Sequence, residues 1–175
     1  MQDMLGNTYD SEVCSAARAL ELVGERWSLL IVRNALFAGA TRFSDFNRLA
    51  ISTNILTDRL DGFVRAGIME RRNYGRNAEQ FEYLLTEQGR DLASVIIALT
   101  EWGDRWAAPK GPPILYTHAV CGGSITQRTT CSNCGEVHDG ADVLALPGPG
   151  MPADRAERMR SRAAARDLEP AAPQP

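Results

Sequence analysis

The chain is 175 residues long, 44% hydrophobic and 23% charged, with a formal net charge of −3. That length holds one domain of ordinary size and an appendage, and the hydrophobic share is enough for a real core. The negative balance argues against a uniformly basic nucleic-acid binder, so any such role must rest on a local patch.

No apolar run approaches the ~18 residues of a membrane span. The N-terminus lacks the basic stretch and apolar core of a signal peptide. The expectation is a cytoplasmic protein with no membrane partner. Residues 1–10 are a polar lead-in. Ser11 and Glu12 open a predicted helix with an apolar face of Val13, Ala16, Ala17, Leu20 and Val23, broken at Gly24. A second helix, Trp27 to Phe37, is apolar on nearly all sides (Leu29, Leu30, Ile31, Val32, Ala35, Leu36). Such a helix is expected to be buried all round, with Trp27 its largest anchor. Gly39 closes it.

The most informative stretch runs from Arg42 to Leu85. A short helix carries Phe43, Phe46 and Leu49 three residues apart. Ala50 and Ile51 make a turn, and Ser52 or Thr53 caps the next helix. That helix, residues 53–66, buries Leu56, Leu60, Phe63 and Val64 and ends at Gly67 as a C-cap would. Its other face (Thr53, Asn54, Thr57, Asp58, Asp61, with Arg59 at the edge) is polar beyond anything a core needs. A hairpin follows, Ile68 to Tyr74 and Gln80 to Leu85, with a polar tip between. Two angled helices followed by an arginine-bearing hairpin form a winged helix-turn-helix plan. The competing reading is a small α+β core module with a solvated helix face. Residues 41–85 hold seven Arg against six acids, a modest local surplus to which Arg71, Arg72 and Arg76 contribute most visibly.

Thr86 begins a long helix, Glu87 to about Ala108. Leu92, Val95 or Ile96, Leu99, Trp102 and Trp106 repeat at nearly 3.5 residues, a seam suited to a partner helix. At ~1.5 Å per residue such a helix overreaches a domain this small, so a homodimer is expected, with the first helix contributing. Pro109, Gly111, Pro112 and Pro113 mark a linker.

Five separated motifs fall in order over roughly residues 12–106: Leu22-Val23-Gly24-Glu25-Arg26-Trp27-Ser28-Leu29-Leu30-Ile31 with Cys14 ahead of it, Arg42-Phe43-Ser44-Asp45-Phe46, Leu56-Thr57-Asp58-Arg59-Leu60, Gly67-Ile68-Met69-Glu70-Arg71, and Tyr83-Leu84-Leu85-Thr86-Glu87-Gln88-Gly89. Together they resemble the HxlR-type bacterial regulators, relatives of MarR. The resemblance implies a dimeric winged-helix transcription factor. In that family the early Cys is usually followed by Pro; here Ser15 follows. For some members the resemblance implies that this Cys senses oxidants or electrophiles. Cys14 near a helix N-terminus suits a reactive thiolate, and it equally suits a small hydrophobe beside Val13 and Ala17.

The tail from Tyr116 goes beyond the core pattern of that family and resembles the appendage of a subset of its members. His118-Ala119-Val120-Cys121-Gly122 and Cys131-Ser132-Asn133-Cys134-Gly135 echo one another. Each pair has two metal-type ligands separated by two residues and a Gly that permits a left-handed turn. A tetrahedral Cys₃His zinc site follows from this spacing, closed and therefore structural. It gives a 30-residue segment poor in large apolar side chains something to fold around. Two alternatives stand beside it: His138 as the fourth ligand, and Cys131 with Cys134 as a redox pair. Pro147-Gly148-Pro149-Gly150 is a second linker, followed by an Arg- and Ala-rich helix from Asp154 to Leu168 that reads as solvated, then a disordered-type tail.

The expected organisation is α+β, mainly helical: a winged helix-turn-helix dimer (11–108), a linker (109–115), a small zinc-bound hairpin appendage (116–146), and a linker, helix and tail (147–175). The expected partner is a double-stranded DNA operator, bound by a homodimeric repressor with a small-molecule or oxidant effector. Ser52, Thr53, Asn54, Thr57 and Asp58 are candidate DNA-binding residues, of which Thr53, Asn54 and Thr57 would meet base edges, Asn54 being suited to adenine. Arg59, Arg71, Arg72 and Arg76 would hold phosphates or reach a minor groove. The alternative is a zinc-containing protein–protein adaptor that uses the winged domain as a docking surface. With His118 and His138 the only histidines and no phosphate-binding Gly loop, catalysis is not expected.

Overall fold

In the computed structural model, residues 8–75 and 80–167 are described. The chain divides into two compact units, residues 1–127 and 128–175. The hairpin segment expected as one appendage therefore falls on both sides of the division.

In the first unit α1 spans Ser15–Val23, α2 Ser28–Phe37, α3 Phe43–Phe46, α4 Thr53–Arg65 and α5 Glu87–Trp106, with β1 (Met69–Asn73) and β2 (Phe81–Leu85) between α4 and α5. A 3-10 turn, Asn47–Leu49, continues α3. Helix α1 starts four residues later than Ser11 and Glu12 suggest. The Glu12 N–H closes a turn on the Tyr9 carbonyl at 2.7 Å, and the Arg18 guanidinium donates to the carbonyls of Tyr9 and Glu12. These bonds compete with a first helical turn, and Cys14 becomes the N-cap. Helix α2 begins at Ser28 because Trp27 is left-handed (φ 80°).

The core joins Val23, Ile31, Val32, Phe46, Ile51, Leu56, Leu60, Phe63, Ile68, Met69, Tyr83 and Ile96. Phe46, Leu56, Leu60 and Phe63 are almost wholly buried, each removing enough apolar surface to stabilise the fold by ~1.5–3 kcal/mol. Helix α2 is not buried all round: Ile31 and Val32 point inward, while Leu30 and Phe37 are exposed on this chain. An apolar sequence alone does not say which body covers each side.

Strands β1 and β2 are antiparallel, with Arg71 opposite Tyr83 and Arg72 opposite Glu82. A bridge between Arg42 and Glu82, with the Tyr83 N–H on the Thr41 carbonyl at 2.7 Å, ties the entry to α3 onto the free edge of β2. Thr86 then caps α5. Its hydroxyl donates to the Gly67 carbonyl (2.6 Å) and accepts from the Gly89 N–H (3.2 Å). A Cβ at Gly89 would lie 2.2 Å from the Ile68 carbonyl oxygen, so only glycine lets the helix start cross the strand so closely.

Beyond α5 a small hairpin is closed by a Thr117–Ser124 bridge and by the Ile125 N–H on the Tyr116 carbonyl at 3.0 Å. It packs on the winged domain through the Phe37 and Tyr116 rings, 4.6 Å apart, and the Gln127 N–H on Glu101 at 3.0 Å. In the second unit β3 (Thr130–Cys131) and β4 (Gly135–Glu136) pair antiparallel. A 3-10 turn, Gly140–Asp142, and α6 (Ala153–Asp167) follow. Along α6 the pairs Arg158–Asp154 (2.7 Å) and Arg160–Glu157 (3.3 Å) are exposed.

Candidate nucleic-acid interface and cysteine hairpins

The turn between α3 and α4 sets the interface. Asp45 accepts from the backbone N–H groups of Arg42 (2.8 Å) and Thr41 (3.0 Å), satisfying donors at the start of α3. Those two bonds, Arg42 first, hold its carboxyl below the usual carboxylate range. Ala50 then turns the chain in a left-handed conformation (φ 52°), and buried Ile51 anchors the entry to α4. Leu56, Leu60 and Phe63 face the core, so Ser52, Thr53, Asn54, Thr57 and Asp58 emerge together on the exposed side. The Thr57 hydroxyl donates to the Thr53 carbonyl at 2.9 Å.

The candidate arginines divide into distinct situations. Arg59 is half-buried and pairs with Glu25 at 2.8 Å, binding α4 to the α1–α2 junction across a separation no sequence pattern displays. Arg72 leans on Glu82 at 3.3 Å. Arg71 sits 3.9 Å from Asp61 and over the Phe81 ring. Both wing arginines stay about half exposed or more. Arg76 lies outside the described residues. Arg48, which motif reasoning passed over, is exposed on the 3-10 turn just ahead of α4. Among the described residues it makes no ion pair within 4 Å. Its only signal in the sequence was its share of the local charge.

The α5 seam splits in two. Ile96 (3% exposed) belongs to the domain's own core and Leu92 packs against it. Val95, Leu99, Trp102 and Trp106 form a stripe on the surface, with Trp102 and Trp106 exposed by 61% and 65%. The spacing thus merged two faces, one turned inward and one outward. Ile97, also buried, was not singled out by it.

Each cysteine phrase folds as a tight turn with its trailing glycine left-handed, at Gly122 (φ 72°) and Gly135 (φ 93°). In the first, His118 Nδ1 lies 3.2 Å from Cys121 Sγ, and the Gly122 N–H reaches the His118 carbonyl at 2.8 Å. In the second, backbone N–H groups of Asn133 and Cys134, then the Cys134 thiol, hold the Cys131 thiol below its ordinary range. All four cysteines are free thiols, with Cys14 exposed at the start of α1. His138 is exposed, 3.5 Å from Glu136. Among the described residues no group of three or more His, Cys, Asp or Glu side chains is gathered as a metal cage. The donor types, thiols and an imidazole on short turns, are ones that zinc accepts, and in the second turn backbone N–H groups are directed at the Cys131 sulfur.

A helix-turn-helix with a β-hairpin wing and a polar outer face on its second helix defines a winged helix-turn-helix transcriptional regulator. The HxlR-like helix-turn-helix family matches residues 22–111, and the chain belongs to that family. It is 44% identical over 151 residues to an uncharacterised HTH-type transcriptional regulator of Mycobacterium tuberculosis, covering 85% of this chain and 94% of that one. The regulator YdeP of Bacillus subtilis is 32% identical over 99 residues, 55% of this chain and 77% of that protein. Among solved structures, the protein PA1607, described as a transcription factor, superposes with a TM-score of 0.71 at 29% identity, covering 80% of this chain and 99% of that one. The protein PA1374 of Pseudomonas aeruginosa gives 0.59 at 32% identity over 83% of this chain and 99% of that one. These relatives are HTH regulators rather than enzymes, and they do not favour the adaptor reading. Among the described residues no helix is long and apolar enough to cross a membrane.

Proposed function

We propose that the protein is a cytoplasmic, homodimeric repressor that occupies its operator with one α4 helix per half-site. The observation that carries this reading is the exposed set Ser52, Thr53, Asn54, Thr57 and Asp58 on the face of α4 opposite Leu56, Leu60 and Phe63. Asn54 can bond adenine through two hydrogen bonds and Asp58 can accept from a cytosine amine. Arg71, Arg72 and Arg76 on the wing, joined by Arg48, hold phosphates. Arg59 acts mainly as the strut that positions α4 through Glu25. Two half-sites double the modest positive patch, which a net charge of −3 makes worthwhile. The stripe of Val95, Leu99, Trp102 and Trp106 supplies the dimer contact, with α1 contributing. Occupancy alone blocks transcription, so repression requires no further surface.

His118, Cys121, Cys131 and Cys134 would hold one structural zinc ion, which crosslinks the two hairpins and does no chemistry because four protein ligands leave no open position. Exposed Cys14 at the start of α1 is the candidate oxidant sensor. A gel shift against the upstream region of its own gene, with light scattering after size exclusion, tests the main reading. A saturable shift and a dimeric mass are expected. Leu99→Asp puts a carboxylate into the contact and should yield a monomer with weakened operator binding. A Leu99→Asp monomer that still grips the full operator tightly contradicts the dimeric arrangement.

A further inference from the structure

The Arg- and Ala-rich helix α6 sorts its charges by face. Residues 153–167 hold five Arg against three acids, while the remainder of the chain has 14 basic side chains against 19 acids. The positive surplus of an acidic protein is thus gathered on one helix of 15 residues. At ~100° per residue, Arg155, Arg158, Met159 and Arg162 fall within an arc of about 100°. With Met151 from the preceding turn they line an open groove of about 410 Å³. Glu157 and Arg160, paired at 3.3 Å, lie on the far side, where their charges cancel. At the edge of the arginine face Asp154 holds Arg158 at 2.7 Å, with both side chains 60% or more exposed. Among the described residues Arg162 makes no ion pair within 4.0 Å.

The face selects its partner by chemistry. All three cations are guanidiniums, which stay charged and grip phosphate oxygens through two parallel hydrogen bonds. They follow one another at rises of ~4.5 and ~6 Å along the helix. That makes a row, suited to a line of phosphates rather than to a single anion. Residues 153–167 contain no Trp, Phe, Tyr, Leu, Ile or Val. The helix therefore has little to bury among lipid tails, and it lacks the aromatic anchors on which protein interfaces rely. We propose that the arginine face of α6 is a second DNA contact, which binds the phosphate backbone of the duplex outside the bases read by α4. Because one chain tethers it to α4, it meets DNA already held, and weak contacts then raise affinity. The inference rests on the DNA-binding reading of the winged domain, though not on the operator or on repression.

Fluorescence-anisotropy titrations of the full chain over a range of salt test the contact, on a long unrelated duplex and on the upstream region of its own gene. Arg162→Gln should flatten the log–log salt slope by about 0.9 per lost phosphate contact, and Arg158→Gln combined with Arg162→Gln by about twice that. Arg160→Gln removes the same charge from the far face and should leave the slope unchanged. Gln keeps a high helix propensity, and circular dichroism establishes that α6 persists in each variant. Arg162→Lys should restore the slope, because the cation remains. Equal slopes in wild type and the double variant overturn the contact. So does an equal loss from Arg160→Gln, which would reduce the effect to overall charge. Binding to phosphatidylserine vesicles that the double variant loses, with slopes on DNA unchanged, overturns it in favour of a membrane surface. A slope that responds to Arg162→Gln on unrelated duplex, with no preference for the upstream region, keeps the α6 contact and removes the operator reading. A preference for the upstream region with the α6 variants unchanged does the reverse.

Discussion

The helix-turn-helix core and the cysteine hairpins of this chain are held in shape by opposite means. Around α4, Phe46, Leu56, Leu60 and Phe63 are nearly inaccessible to water and interlock across three helices and a hairpin. In the hairpins and the segment after them Val120, Leu144 and Leu146 are largely exposed, and the local order comes from short backbone bonds such as the Val137 N–H on the Thr129 carbonyl at 2.8 Å. Burial of apolar area stabilises the first cooperatively. A few exposed backbone bonds contribute little net free energy to the second. The winged domain should therefore stand without the hairpins, whereas the hairpins would depend on the zinc proposed at the paired ligand phrases.

Removing the proposed zinc is the largest expected effect, since structural zinc contributes on the order of 10–16 kcal/mol of apparent binding energy in small domains. Freshly purified protein should carry one zinc per chain. A strong chelator, or Cys131→Ser, should open residues 114–146 to protease while residues 11–108 stay protected. His138→Ala should change nothing and His118→Ala should lower zinc affinity strongly. Full zinc occupancy in His118→Ala contradicts the ligand set.

The converse lesion lies in the core. Phe63→Ala should cost ~3–5 kcal/mol, a large share of the stability of a domain this size. Melting followed by circular dichroism should show it, while zinc content per chain stays unchanged. If Phe63→Ala released the metal as readily as it lowered the melting temperature, the two regions would form one cooperative body and the contrast would be lost.

The smallest effect concerns Asp45. Its carboxyl is held low by the Arg42 and Thr41 N–H groups, so it stabilises the fold above the unfolded value near pH 4. That contribution disappears as pH falls through the lower folded value. Asp45→Asn keeps an acceptor oxygen but loses the charge-assisted part of the two bonds, so it should cost ~1 kcal/mol at pH 7 and much less once both carboxyl states are protonated. A penalty that persists unchanged to pH 2 would show that the charge is not the cause.

The α3–α4 unit and the wing were legible because local signals agreed. Three apolar residues at helical spacing, a cap, Gly67 and a polar hairpin tip each pointed the same way, and α4 ends within one residue of the expectation. The start of α1 was not legible, because Ser11 and Glu12 carry a capping signature that the Arg18 bonds to Tyr9 and Glu12 override. Nor was Trp27, since nothing marks a bulky residue for a left-handed bend. Periodicity along α5 identified apolar positions but not which partner covers them, so Ile96 and Leu99 were grouped although one is core and the other surface. The Arg59–Glu25 pair arises from tertiary placement, for which a single sequence has no notation.

The central claim is that the exposed face of α4 reads base sequence while the arginines supply general affinity. Binding of wild type and Asn54→Ala to the operator, to operators altered one base pair at a time, and to unrelated DNA tests it directly. The account predicts that Asn54→Ala loses ~1–3 kcal/mol on the intact operator, loses nothing on the operator altered at one particular base pair, and leaves affinity for unrelated DNA nearly unchanged. An equal loss on every sequence would contradict it, because Asn54 would then be a backbone contact and the reader would lie elsewhere.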